Sequence, residues 1–298
     1  MKKELSATHC SRPLFTLWAR QFSLALGQKT KIMGIINITP DSFSQDGYLR
    51  GTKKFSDRAV RHALRLIQEG ADIIDIGGES SRPGSRPVSL EEEIRRVIPT
   101  VRALAKKIKI PISVDTYKPL VARQALDAGA SMINNIYGIS LDKNLLRMVR
   151  DYKAGIVLMH MRGTPQNMQK NIHYKNLISE IIKPLQKSIE KCLDIGMKSD
   201  KIIIDPGIGF GKTPEQNLEI IHRLADFQIL NQPLLIGPSR KSFIGKVLNK
   251  DVAQRMAGTT AAVCASVLNG AHIVRVHDVA PLKDVVRMSD AILNQTLN

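Results

Sequence analysis

The chain has 298 residues, 43% of them hydrophobic and 24% charged, the composition of an ordinary soluble globular protein with enough chain for one large core. Its 44 Lys+Arg against 27 Asp+Glu give a formal charge of +17, so its mean field favours anions such as nucleic acid, anionic lipid or a phosphorylated small molecule. Scattered basic residues and 4% aromatics offer no stacking platform for nucleic acid, and no stretch approaches the ~20 uninterrupted apolar residues of a membrane span.

The N-terminal stretch begins with Lys2 and Lys3, but its apolar run 14–19 is short and is broken by Arg20 and Gln21 before 22–26. That is not the pattern of a secretory leader. Residues 1–29 are expected to form an extension packed against the bottom of the domain that follows. Cys10, Cys192 and Cys264 show neither metal-ligand nor redox spacing, which points to structural thiols in a reducing, cytoplasmic compartment.

From Lys31 onward, short Ile- and Val-rich runs alternate with longer segments of helical period. The predicted strands are 32–37, 72–76, 111–115, 131–135, 155–160, 201–205, 233–237 and 272–276; helical patterns between them include 56–69, 89–107, 118–128, 174–195 and 253–269. Each strand is short, apolar on both faces and flanked by Gly, Pro or a polar turn, as in a buried parallel sheet. Eight such units over residues 30–298 predict a single α/β domain, a (β/α)8 TIM barrel, in preference to a doubly wound open sheet.

In such a barrel the chemistry gathers at the C-terminal ends of the strands, and those ends are polar here. The first strand finishes at Asn37, the second runs into Glu79-Ser80-Ser81-Arg82-Pro83, and the third to sixth end at Asp115, Asn134-Asn135, His160 and Asp205. The seventh leads into Ser239-Arg240-Lys241-Ser242, and the eighth carries Arg275 and His277. Any one of these alone reads equally well as a helix cap or turn residue. All eight together describe a pocket for a polar ring with an anionic tail: carboxylates and amides for ring N–H groups, with Lys241, Arg275 and His277 for the anion.

Two motifs mislead. DPGIGFGKT resembles a phosphate-binding P-loop, but Pro206 stands where that loop needs its first glycine. Gly207, Gly209 and Gly211 lack dinucleotide-fingerprint spacing and suit a tight turn leaving the sixth strand. His160 reads as a core histidine, since no second histidine accompanies it at metal-ligand spacing.

Taken together and in order, MGIINITPDSFS, DIIDIGGESSRPGS, ISVDTYKP, INN, LMHMRGTP, IIIDPGIGFGKT, GPSRKSFIG and RVHDV resemble the dihydropteroate synthases across nearly the whole barrel. The resemblance implies condensation of (7,8-dihydropterin-6-yl)methyl diphosphate with 4-aminobenzoate to give 7,8-dihydropteroate and pyrophosphate. It places the pterin diphosphate on Ser81, Asp115, Asn134, Asp205, Lys241, Arg275 and His277. It also implies Asn37 as a ligand to Mg²⁺, and Phe43, Ser81, Pro83, Phe210 and Ser242 around 4-aminobenzoate. Lys241, Arg275, His277, Asp115 and Arg82 would carry catalysis, with Arg82 supporting closure of a loop over the departing pyrophosphate.

Ser81 stands where the family usually has Thr, and Asn134-Asn135 where it commonly has Asn-Asp. The family also implies a homodimer and sensitivity to sulfonamides competing for the aminobenzoate site. Two readings compete with the synthase. A pterin-dependent methyltransferase serving a corrinoid protein would share the ring site but has no use for the SSRPGS, SRKS and RVH segments; a noncatalytic basic protein would leave the polar strand ends unexplained.

Overall fold

The computed structural model describes residues 12–39, 52–136 and 142–296, the side chains of 52–55 excepted. It opens with an antiparallel hairpin, β1 (Phe15–Ala19) and β2 (Phe22–Leu26), turning at Arg20 with φ 56°. The sequence reading drew no strands there. The period-2 signal is present nonetheless, for Leu17, Ala19 and Leu26 are buried while Trp18 faces out.

Eight parallel strands follow: β3 (Lys31–Asn37), β4 (Ile73–Gly77), β5 (Ile112–Asp115), β6 (Met132–Asn135), β7 (Gly155–Met159), β8 (Ile202–Asp205), β9 (Leu235–Ile236) and β10 (Ile273–Val276). They are ordered β8-β7-β6-β5-β4-β3-β10-β9, and a parallel bridge from Ile204 to Leu234 joins the two edges. The sheet therefore closes into the expected barrel, and an open doubly wound sheet is excluded. β9 is shorter than the predicted 233–237. Pro233 has no N–H to give, and its carbonyl accepts from Ile204 N at 3.0 Å.

Helices α1 (Thr52–Glu69), α2 (Leu90–Ala105), α3 (Pro119–Asp127), α4 (Lys143–Asp151), α5 (Leu177–Asp194) and α6 (Pro214–His222) follow β3 to β8 in turn. After β9 come two, α7 (Ser242–Leu248) and α8 (Met256–Leu268), and α9 (Val279–Asn294) follows β10. Helix starts obey local chemistry: Ser89 accepts from Glu92 N at 3.2 Å, and Thr213 forms a reciprocal capping box with Gln216. The outward side chains of the strands, such as Ile36, Ile74, Ile112, Ile156, Ile204 and Val274, form one core with the helices.

The inward side chains are sorted along the barrel axis. At the N-terminal end Met33, Ile73, Met132, Val157, Ile203, Leu235 and Ile273 form an apolar layer against Leu17, Ala19 and Leu26 of the hairpin. One strand repeat further on, the same face carries Asp75, Asn134, Asp205 and Arg275. The hairpin thus closes one end of the barrel and the polar layer opens at the other. Arg12 secures that closed end: its guanidinium, buried, binds Asp290 of α9 at 2.8 Å, Thr30 Oγ1 at 2.5 Å and the Gly27 and Ala271 carbonyls at 2.6 and 2.8 Å.

Candidate active site

Because β4, β5 and β6 pair in register, with Asp75 opposite Ser113 and Asp115 opposite Asn134, alternation aims their polar side chains into one space. Asp75 Oδ2 accepts from Arg275 Nε at 2.7 Å and from Asn134 Nδ2 at 3.1 Å; Arg275 Nη2 reaches Asp115 Oδ2 at 3.1 Å. Asp75 is fully buried, and its second oxygen has no hydrogen-bond partner among the described residues. Burial works against the charge of Arg275, but Asp75 and Asp115 outweigh it and hold the guanidinium above its ordinary pKa. Asp115 is pushed up to about 7 by burial, against the pull of Arg275 and with the like charge of Asp75 beside it.

Above this layer lies a cavity of about 540 Å³. Of the residues singled out in the sequence, Asn37, Ser81, Arg82, Pro83, Phe210, Lys241, Ser242, Arg275 and His277 line it. Ser81 and Asp115 also share a small adjoining recess with Glu79 and Tyr117. Asp205 closes the end of β8, its Oδ1 accepting from Gly207 N at 2.7 Å. Burial raises it to about 6, with the Gly207 amide and Lys241 opposing. Lys241, N-terminal to α7, puts Nζ 4.2 Å from the centre of the Phe210 ring; burial and Arg275 lower its pKa to about 8. His277 Nδ1 lies 3.1 Å from Ser239 Oγ, and burial beside Arg275, Arg240 and Lys241 drives its pKa down to about 3, so the imidazole is neutral. Phe43 lies outside the described residues.

Phe210 owes its place to an unusual turn. Gly207 has φ 74°, and a Cβ there would lie 1.9 Å from the His160 carbonyl oxygen, so no other residue fits. The loop after β4 is held at its base by Lys118, whose ammonium binds Glu79 at 2.6 Å, Glu93 at 2.5 Å and the Val88 carbonyl at 2.7 Å, while Glu79 also accepts from Val88 N at 3.0 Å. That knot brings both ends of the Ser80–Pro87 segment together and presents Ser81, Arg82 and Pro83 to the cavity.

Sequence reasoning missed Asp75, Lys212 and Arg255. The signal for Asp75 was legible: an acid in the middle of a strand apolar on both faces can only be buried, and a buried acid needs partners. Lys212 was passed over with the imperfect phosphate loop, yet it is almost wholly buried against His160, with its Nζ 3.0 Å from Nδ1. Arg255, in a loop after α7, carried no motif; it lines the cavity rim through a bond to the Arg240 carbonyl at 3.1 Å. His160 lies in the core as read, only 3% exposed.

The model of the pterin binding enzymes matches residues 33–277, and the chain, with its carboxylate-and-amide layer under a cationic mouth, belongs to that family. Within the family it is similar to dihydropteroate synthases. It is 45% identical to the dihydropteroate synthase of Synechocystis sp. over 89% of this chain and 91% of that protein. The Xanthomonas albilineans dihydropteroate synthase solved with 4-aminobenzoic acid superposes with a TM-score of 0.86 at 38% identity, covering 94% of this chain and 98% of that one. The same enzyme in complex with 7,8-dihydropteroate gives 0.81 at 36% identity, covering 93% and 98%. Among the described residues no helix is long and apolar enough to cross a membrane.

Proposed function

We propose that the chain is a dihydropteroate synthase, condensing (7,8-dihydropterin-6-yl)methyl diphosphate with 4-aminobenzoate to give 7,8-dihydropteroate and pyrophosphate. The observation that carries the reading is the vertical sorting of the barrel mouth. Hydrogen-bonding groups for a flat heterocycle lie at its base, cations above them, and apolar surface with Phe210 and Pro83 at the wall.

Asp205 accepts from the amino and ring N–H groups of the pterin, its Oδ1 steadied by the Gly207 amide. Asn134, whose Nδ2 is committed to Asp75, turns its carbonyl oxygen to the ring; Asp115 completes the edge. Lys241 lies over the heterocycle and bonds its carbonyl. Two nitrogens of Arg275 are held by Asp75 and Asp115, which fixes the plane of the guanidinium and offers the third to a diphosphate oxygen. His277 adds a neutral donor and Arg82 a mobile charge on the loop that closes over the anion. Ser81 contributes a hydroxyl between the two substrates. Phe210 and Pro83, with Phe43, clasp the aminobenzoate ring, and Ser242 lies at its carboxylate.

C–O cleavage at the pterin methylene runs ahead of attack by the aniline nitrogen, which is nucleophilic when neutral and needs orientation more than a base. Stabilisation of the leaving diphosphate by Arg275, His277 and backbone N–H groups is the main catalytic term. Mg²⁺ fits this donor set: Asn37 presents its amide oxygen to the space beside Gly77 that Asp115 also borders, and Mg²⁺ commonly takes one or two protein oxygens, waters and substrate phosphates. Bound there it would neutralise charge on the pyrophosphate. We further place the enzyme in the cytoplasm, supported by the free thiols of Cys192 and Cys264, and as a homodimer, supported by exposed Val247 and Leu248 on α7 and Met288 and Ile292 on α9.

The test is pyrophosphate release by purified protein from the pterin diphosphate and Mg²⁺, with and without 4-aminobenzoate. Release coupled to dihydropteroate formation and abolished in Lys241→Ala supports the reading. Tight pterin binding without product transfers the chain to the methyl-transferring pterin enzymes.

A further inference from the structure

The chemistry above makes no use of Lys212, one of the largest fully buried side chains among the described residues. Its ammonium does not enter the cavity. Nζ lies 3.0 Å from His160 Nδ1, 3.0 Å from the Phe210 carbonyl oxygen and 3.4 Å from the His160 carbonyl oxygen, so its three protons have three acceptors. A cation facing a neutral imidazole and two carbonyls is expensive to bury. Burial lowers its pKa to about 7, with Asp205 pulling the other way, and His160 is kept neutral in its turn by burial and by Lys212.

What this arrangement secures is the backbone that presents Phe210. Gly207, Gly209 and Gly211 all have positive φ, and such a turn has little stiffness of its own. Side chains pin it along its length: Gln169 Nε2 donates to the Gly209 carbonyl and Tyr174 Oη to the Gly211 carbonyl, each at 3.0 Å. Gly207 N donates to Asp205, Gly209 N donates to Asn217 Oδ1 at 2.7 Å, and Lys212 grips the carbonyl of Phe210 itself. The ring so fixed packs against Lys241.

We propose that Lys212 is a positioning residue for the aromatic amine substrate: by holding the Phe210 and His160 carbonyls it keeps the Phe210 ring against Lys241 and so sets the wall on which that substrate's ring rests. The inference rests on the synthase reading and deepens it. Lys212 touches neither substrate and bonds to none of the pterin contacts on β5, β6 and β10; Asp205 on β8 feels its charge, which Lys212→Arg retains.

The experiment compares Lys212→Met, Lys212→Gln and Lys212→Arg with the unaltered protein, measuring KM for each substrate separately in folded enzyme. Small displacements of a positioning group can cost up to about 10²-fold. The expected result for Lys212→Met is an increase of about tenfold in KM for 4-aminobenzoate with less than about threefold for the pterin diphosphate, and a smaller split in Lys212→Gln, whose amide keeps two N–H donors. A merely structural lysine would lower thermal stability and leave both KM values in place. Unchanged aminobenzoate KM, parallel rises in both, or failure of all three variants to fold would each overturn the proposal. Absence of aminobenzoate-dependent pyrophosphate release by the unaltered protein would instead remove the synthase reading.

Discussion

Asp75 and Arg275, from strands separated in the barrel by β3 alone, meet at 2.7 Å between Oδ2 and Nε, with the carboxylate fully buried. Removing one partner of a buried pair costs about 3–5 kcal/mol, because the other charge stays buried without it. Asp75→Ala should therefore lower the free energy of urea unfolding by about that amount. It should also reduce kcat/KM for the pterin diphosphate by about 10²-fold, since the guanidinium loses its fixed plane. Asp75→Asn keeps an acceptor for both partners and should fall between. Unfolding curves and initial rates on the same preparations check both figures; a rate change without a stability change would place Asp75 outside this pair.

The pocket has opposed titrations. Asp205 is raised to about 6 and Asp115 to about 7 by burial, so lowering the pH through that window protonates the two acceptors proposed for the pterin. Lys241 is lowered to about 8 by burial, so raising the pH through 8 removes its charge. The value of kcat/KM for the pterin diphosphate should rise from pH 5 to 7, level briefly and fall above 8. Lys241→Arg, which cannot titrate in this range, should abolish the alkaline limb and spare the acid one. A profile flat from 5 to 9 would contradict both assignments.

Two glycines with similar φ should respond differently to alanine. Gly84 has φ 78° with nothing within 4 Å of the added Cβ; Gly207 has φ 74° with the His160 oxygen 1.9 Å away. Gly84→Ala carries only the left-handed backbone cost, about 1 kcal/mol. Gly207→Ala must also displace a core carbonyl, so a loss of more than about 3 kcal/mol is expected, the upper end of local backbone strain. Chemical denaturation of the two variants side by side measures the difference.

The Arg12 cluster lies at the opposite end of the barrel from the cavity and joins the chain before β1 to α9 through Asp290. Arg12→Ala should cost about 3–5 kcal/mol of stability while leaving KM for both substrates within about twofold, as expected for distant, independent sites. Loss of substrate affinity in folded Arg12→Ala would show that the closed end and the mouth are coupled.

The barrel was legible because its signals are local and repeated: each Ile- and Val-rich run has turn residues at both ends, and each apolar face needs a helix to cover it. The candidate site was legible as a cluster where polar residues fall at or near strand ends, as at Asn37, Asp115, Asn134, Asp205 and Arg275. What escaped was set by partners distant in sequence. Asp75 acquires its meaning only from Arg275 and Asn134, 200 and 59 residues away, and nothing near Lys212 announces that His160 will lie beside it. The hairpin escaped for another reason: strands of five residues interrupted by Arg20 and Gln21 look like a broken helix or leader until the barrel end they cover is known.

The base of the cavity is built on strands and its rim on loops, and this divides how the two can change over time. Asp75, Asp115, Asn134 and Arg275 are locked by ladder bonds and by one another, and Asp205 by its strand and the Gly207 amide, so a substitution at any of them disturbs its neighbours. Ser81, Arg82 and Pro83 sit on a loop whose bonds beyond itself are carried by its neighbours Gly84 and Ser85. A compound that fills the rim presses on residues the protein can replace cheaply, whereas one seated at the base presses on residues it can scarcely alter without unmaking the barrel, and escape from the second is correspondingly harder.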